Sequence, residues 1–251
     1  MEIIGIIPAR YASSRLPGKP LADIGGQSMI WRVYQRAIQA KHLTQVWVAT
    51  DHEQVYQHLE KQDAKVIMTS QKHETGTERC AEVLQILQKK GINIKGIVNI
   101  QGDEPFIDPL LIDQVAALLG ASNAQIITLT SPVKDAEELF DHNRPKVVCA
   151  LDGKALYFSR QPIPYLRGLP NEEWLANHAY QKHIGIYGYH AETLQKIVQL
   201  KPTPLEQAEK LEQLRWLENG FVIQTDIVQA DIGIAIDTPE DLERARKMIQ
   251  N

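Results

Sequence analysis

Between Ile3 and Leu119 a short apolar run of strand length gives way four times to a segment with apolar side chains at helical spacing. Few folds accept that rhythm. Ile3-Ile4-Gly5-Ile6-Ile7 is a continuous, mostly β-branched run closed by Pro8, as expected of a parallel strand covered on both faces. Helical spacing follows over Met29 to Lys41, through Ile30, Val33, Tyr34, Ala37 and Ile38. Val46 to Thr50 repeats the strand pattern, and Asp51 with Gln54 predicts an N-cap pair opening a helix that carries Val55 and Leu59. Lys65 to Thr69 and Ile97 to Ile100 are the third and fourth strands, followed by helices over Glu78 to Lys90 and Pro109 to Leu119. Strand–helix alternation with short connections specifies a doubly wound α/β fold with a mostly parallel sheet between helices.

After Ala124 the rhythm changes. Ile126 to Thr130, Lys146 to Ala150, Ala155 to Phe158 and His183 to Tyr189 have strand patterns without full helical crossovers between them. They predict an antiparallel or mixed extension, with Pro162 to Asn177 as an exposed excursion. Thr203-Pro204-Leu205-Glu206 combines an N-cap Thr, Pro at the first helical position and Glu at the third, opening a helix expected to reach Gly220. Ile232 to Ile236 predicts a late strand, and Thr238-Pro239-Glu240-Asp241 caps a last helix. The expected organisation is one domain, 1–251, with an inserted lobe at about 130–190.

Composition narrows the function. A chain of 251 residues, 43% hydrophobic, is too apolar to be wholly disordered and long enough to need no disulfide or structural metal. Its net charge of -4 argues against a nucleic-acid-coating protein. No apolar run approaches the roughly 18 residues that span a bilayer, so no membrane partner is expected. Met1 to Pro8 has no charged leader or cleavage site, and Cys80 and Cys149 have no paired spacing. The expectation is a cytoplasmic protein with reduced thiols.

The charge is unevenly placed: residues 1–50 hold six cationic side chains against two acidic ones. Arg10, Arg15 and Lys19 fall in the loop after the first strand with no acid among them. In open α/β sheets ligands bind beyond the carboxyl ends of the strands, and a cationic loop with free N–H groups there suits a polyphosphate. Gly18-Lys19 lacks the earlier glycine and following Ser or Thr of a Walker A loop, and no GxGxxG turn is present. A P-loop kinase and a nicotinamide dehydrogenase both lose their main support.

Asp103 follows the fourth strand with no capping role, which favours it as a ligand to a nucleotide-bound magnesium ion. Asp237 serves equally well as a second ligand or as the residue preceding the Thr238 cap, whereas Asp51 is the better cap. The histidines have no zinc-type spacing. Leu205, Ala208, Leu211, Leu214 and Leu217 recur every third residue with Trp216 between, leaving no broad polar face. Glu212 and Gln213 then line a pocket or interface, or else a partly exposed flank.

The blocks IPARYASSRLPGKPL (Ile7 to Leu21), Ala49-Thr50-Asp51, Gly76-Thr77-Glu78-Arg79 and Asn99-Ile100-Gln101-Gly102-Asp103-Glu104-Pro105 stand in the first half. Ala155 to Arg160, His183 to Tyr189, Leu211 to Arg215 and Asp237 to Asp241 follow. In this order they cover nearly the whole chain and closely resemble the 3-deoxy-manno-octulosonate cytidylyltransferases, also called CMP-Kdo synthetases. The excursion at Pro162 to Asn177 matches least. Another departure is Ser70, where some relatives have Arg.

The resemblance implies a Rossmann-like nucleotidyltransferase fold with a smaller mixed-strand dimerisation lobe. It implies a homodimer that activates Kdo, an acidic eight-carbon sugar of lipopolysaccharide, with CTP and Mg2+. By the same resemblance Arg10, Arg15 and Lys19 hold the triphosphate, and Ser70, Thr75, Gly76 and Arg79 lie along the nucleotide. Asp103 and Asp237 ligate magnesium, while Gln101, Arg160, His183, Tyr187, Glu212 and Gln213 face the sugar. Two alternatives stay open. One is a cytidylyltransferase for a related acid, an 8-amino analogue of Kdo or a sialic acid; the other is a non-catalytic nucleotide-binding protein on the same fold.

Overall fold

The structure, a computed structural model, describes residues 2–13, 15–122, 124–229 and 233–250. Ser14 of the first sequence block and Ile232, the first residue of the expected late strand, lie outside them. The strands are β1 (Ile3–Ala9), β2 (Asp23–Ile24), β3 (Gln27–Ser28), β4 (Gln45–Thr50), β5 (Val66–Met68), β6 (Gly96–Asn99), β7 (Ile126–Pro132), β8 (Lys146–Cys149), β9 (Ala155–Ser159), β10 (Gln181–His190) and β11 (Ile223–Ile227). The helices are α1 (Met29–Ala37), α2 (Glu53–Glu60), α3 (Gly76–Lys89), α4 (Pro109–Ala121), α5 (Ala136–Phe140), α6 (Trp174–Asn177), α7 (Ala191–Ile197), α8 (Pro204–Glu209), α9 (Glu212–Glu218) and α10 (Pro239–Gln250). No helix of the described residues is long and apolar enough to cross a membrane.

The main sheet runs β11-β7-β10-β6-β1-β4-β5, with β8 pairing β10 and β9 beside that path. β6, β1, β4 and β5 are mutually parallel, as the strand–helix alternation requires. β10 enters antiparallel between β6 and β7, so the later strands extend the same sheet. Alternating side chains send Val98 and Ile100 to one face, packed on α1, α2 and α4, and Ile97 to the other, packed on α3, α7 and α9. Helices therefore cover both faces.

Several local expectations are corrected. β1 continues through Pro8 to Ala9. Ile6 receives an N–H from Ile100 on the β6 side, so by strand alternation Pro8, lacking an N–H, also faces that side, where β6 pairing has ended at Asn99. α1 stops at Ala37, short of Lys41. The helix predicted from Pro204 to Gly220 is two helices, broken at Lys210, whose φ is 54°. Residues 233–236 form no strand. Asp51 caps nothing: His52 is the N-cap residue of α2, and Asp51 looks inward.

Candidate active site

A cavity of about 300 Å³ opens at the carboxyl ends of β1 and β6, where an open parallel sheet places its ligands. Arg10, Ser13, Arg15 and Lys19 from the loop after β1 line one side. Gln101, Gly102 and Asp103 line the floor, His73 to Gly76 and Arg79 the opposite wall, and Asp237 closes the rim. A larger open groove of about 670 Å³ on the outer side of α1 shares none of these residues. Its Arg32 and Arg36 donate to the carbonyls of Ile24, Gly25 and Ile107.

The floor is fixed by close backbone packing. A Cβ on Gly102 would sit 2.5 Å from the carbonyl oxygen of Pro8, so only glycine lets the loop after β6 lie against β1. The rim is brought in by α10. Its Leu242 and Ala245 bury against Ile24 and Met29, on the hairpin β2–β3 and the start of α1 just beyond Lys19. Ile236 N–H donates to the Asp103 carbonyl at 2.9 Å, tying the two acidic segments together. Thr238 Oγ1 caps α10 by accepting from Asp241 N–H, as predicted, and leaves the Asp237 carboxylate free to turn into the cavity.

The charges then converge. Lys19 Nζ lies 2.8 Å from Asp103 Oδ2 and 2.9 Å from Asp237 Oδ1. Arg15 Nη2 is 3.0 Å from the same Asp237 oxygen. Arg10 is exposed at the mouth with no hydrogen bond or ion pair among the described residues. Burial, with the charge of Asp103 next to it, pushes the Glu104 carboxyl up to about 8. Opposite, the N-terminus of α3 is built by a capping box: Glu78 N–H donates to Thr75 Oγ1, and the Glu78 carboxylate accepts from Thr75 N–H. The first-turn N–H groups of Gly76 and Thr77 lack helical partners, so this end of a 14-residue helix suits an anion.

Arg79 is 2% exposed, and its guanidinium donates to Asp51 Oδ2 at 2.9 Å, to Thr69 Oγ1 and to the Ser70 carbonyl. It is a buried brace under the cavity wall. The Ser70 side chain accepts from Lys72 N–H, and Ser70 does not line the cavity. Sequence reasoning passed over His73 and Glu74. His73 Nε2 lies 2.6 Å from Glu82, whose carboxylate also accepts from Ser70 N–H. The readable signal was Glu78 and Glu82, one turn apart on α3 and both facing the loop before it.

A second group of candidates lies behind Gln101, which lines the cavity and donates through Nε2 to the Gly185 carbonyl at 2.6 Å. That carbonyl belongs to an irregularity in β10 between Ile184 and Tyr187. Thr128 Oγ1 donates to the Ile186 carbonyl at 2.8 Å and stands 3.0 Å from His183 Nε2. The same hydroxyl also lies 3.2 Å from the Ile184 carbonyl, so its one proton has three acceptors within reach, His183 Nε2 among them. Burial lowers the His183 pKa to about 3, so the ring is neutral near pH 7.

Tyr187 stands directly across from Asn99 in the β10–β6 ladder, and its ring meets Trp216 edge-on at 5.1 Å. Tyr187 Oη, Asn99 Oδ1 and Gln213 Nε2 are buried with no hydrogen-bond partner among the described residues. Burial raises the Tyr187 pKa well above its ordinary value and also raises that of Glu212, which accepts from Thr77 Oγ1 at 2.7 Å. Gln213 is buried and Glu212 is partly buried. Arg160 is placed differently. Its Nε, Nη1 and Nη2 donate to the carbonyls of Glu209, His142 and Lys210. None of Arg160, His183, Tyr187, Glu212 and Gln213 lines the 300 Å³ cavity itself.

Fold and cavity define a nucleotidyltransferase: residues 4–232 match the family model described as Cytidylyltransferase. Along its full length the chain is 48% identical to the 3-deoxy-manno-octulosonate cytidylyltransferase of Parabacteroides distasonis, covering 99% of that protein. It is 46% identical to the one from Histophilus somni strain 2336, with both chains covered in full. The solved structure of a CMP:2-keto-3-deoxy-manno-octonic acid synthetase complexed with CTP is 40% identical and superposes with a TM-score of 0.90, over 100% of this chain and 99% of that one. The chain belongs to the 3-deoxy-manno-octulosonate cytidylyltransferase family. A cytidylyltransferase from Leptospira borgpetersenii, 18% identical with a TM-score of 0.65, shares the fold.

Proposed function

We propose that the protein transfers CMP from CTP to the anomeric hydroxyl of Kdo and releases pyrophosphate. The observation that carries this reading is the convergence of Lys19, Asp103 and Asp237 on one point of a cavity ringed by Arg10 and Arg15. In that reading the three cations and the N-terminus of α3 hold the triphosphate. The sugar oxygen attacks the α-phosphorus, the bond to the bridging oxygen breaks, and pyrophosphate departs in line. Positioning and charge neutralisation supply the catalysis, as in other phosphoryl-type transfers.

The donor set fits magnesium. Two carboxylate oxygens already meet around a cationic centre, and no cluster of three or more His, Cys, Asp or Glu suited to a metal occurs among the described residues. A nucleotide-bound magnesium ion needs one or two protein carboxylates and takes the rest of its shell from phosphate and water. Asp103 and Asp237 would hold it; when bound, it would offset phosphate charge and lower the pKa of the attacking hydroxyl.

Kdo carries a carboxylate and many hydroxyls. The unpartnered Tyr187 Oη, Asn99 Oδ1 and Gln213 Nε2, with the neutral His183 ring, suit the hydroxyls. Among the described residues the Arg160 guanidinium has carbonyl partners and no ion pair, and it suits the acid group. The homodimer expected from the resemblance is supported by exposed Leu151, Leu156 and Ile227 on the adjoining hairpin β8–β9 and strand β11. Incubating the protein with CTP, Kdo and magnesium should yield CMP-Kdo and pyrophosphate, identified by mass spectrometry, and EDTA should stop both. Magnesium-independent turnover, or none with Kdo, would overturn the assignment.

A further inference from the structure

We propose that His52 is a positioning residue for the cationic loop between Arg10 and Lys19, acting through the ring of Tyr11. The inference rests on the reading of that loop as the phosphate-binding one. Apart from a three-residue 3-10 turn beginning at Lys19, the loop has no regular secondary structure among its described residues, so something else must fix its three cations. Tyr11 does so by three contacts. Its N–H donates to Asp51 Oδ1 at 3.2 Å, and the other Asp51 oxygen is held by buried Arg79. Its hydroxyl edge is covered by Gly18, where a Cβ would come within 3.3 Å and where φ is 69°. Its ring lies flat on His52, with centroids 3.8 Å apart and planes 9° from parallel. Tyr11 thereby spans the loop from its first cation to the residue before its last.

The support under that ring comes from outside the loop. His52 stands at the junction of β4 and α2 and does not line the cavity. Its Nδ1 is buried and has no hydrogen-bond partner among the described residues. That atom adds no hydrogen bond to offset its desolvation, so the useful property of the side chain is its flat face. A phenyl ring should do the same work, and an aliphatic side chain of similar bulk should not.

The test compares H52A, H52L and H52F. Initial rates of pyrophosphate release are measured with CTP varied at saturating Kdo and magnesium, and CTP affinity is measured separately by calorimetry without Kdo. H52A and H52L should each raise KM and Kd for CTP about three- to tenfold, the scale of one aromatic stack. Their kcat should stay within about twofold, because the chemistry at the α-phosphorus is untouched. H52F should restore both constants to the wild-type range, which a merely structural role for the imidazole would not do. Wild-type CTP affinity in H52A and H52L, or an H52F variant as impaired as H52A, would overturn the inference. A wild-type protein that binds CTP but makes no CMP-Kdo would instead refute the proposed reaction and leave the calorimetric comparison decisive for His52.

Discussion

The Lys19 ammonium has two carboxylates within hydrogen-bond distance and only 14% of its side chain exposed. Removing it would leave Asp103 and Asp237 facing each other without their shared cation and, in the proposed reading, would deprive the triphosphate of one. Lys19→Ala should therefore lower kcat/KM for CTP at least tenfold, about 1.4 kcal/mol of transition-state stabilisation, read by pyrophosphate release. An unchanged rate would reduce Lys19 to a neutraliser of two acids. This residue was legible because it follows a strand in a loop with no local acid; Asp103 was legible for the matching reason. Asp51 was not. An acidic residue between a strand and a helix has the local signature of an N-cap, and its actual partners lie 40 and 28 residues away at Tyr11 and Arg79. Nothing within a few residues of Asp51 distinguishes the two roles.

Elements meet at the site through contacts that tolerate little change. Gly102 brings the loop after β6 against Pro8 in β1, and a methyl group there would overlap the Pro8 carbonyl. Gly102→Ala should cost about 1–3 kcal/mol of stability by urea denaturation, the usual penalty of overpacking. It should cost activity more steeply, on the order of a hundredfold in kcat, because the displaced segment carries Asp103. Loss of stability with full activity would show that Asp103 has no catalytic position to lose. The break between α8 and α9 is another contact at this scale. Leucine or alanine at every third residue predicts one helix, yet the chain turns at Lys210 and hands the carbonyls of Glu209 and Lys210 to Arg160. The donor comes from a loop 50 residues earlier, so no local pattern announced the stop. Pro8 shows the reverse case: read locally as a strand end, it is tolerated because its nitrogen faces the side already released by β6.

Across the whole molecule, local alternation disclosed that strands exist but not how β10 inserts between β6 and β7. That order depends on side chains more than 50 residues apart packing on both faces, which no short window contains. The insertion has an electrostatic consequence. It carries His183 and Tyr187 into the interior, where both are held in their neutral forms, His183 by burial that lowers its pKa from 6.5 to about 3. An unfolded chain would protonate that imidazole below about pH 6.5, whereas the folded chain would resist until about pH 3. The contribution of the neutral ring is thus complete above pH 6.5 and is lost progressively as the pH falls towards 3. His183→Gln keeps a neutral side chain able to hydrogen-bond Thr128 but has no proton to gain. The stability advantage of wild type over this variant, measured by urea midpoints, should be larger at pH 7.5 than at pH 4.5. A pH-independent difference would mean the ring is as easily protonated folded as unfolded. It would also remove the argument that His183 meets a sugar hydroxyl as a neutral ring.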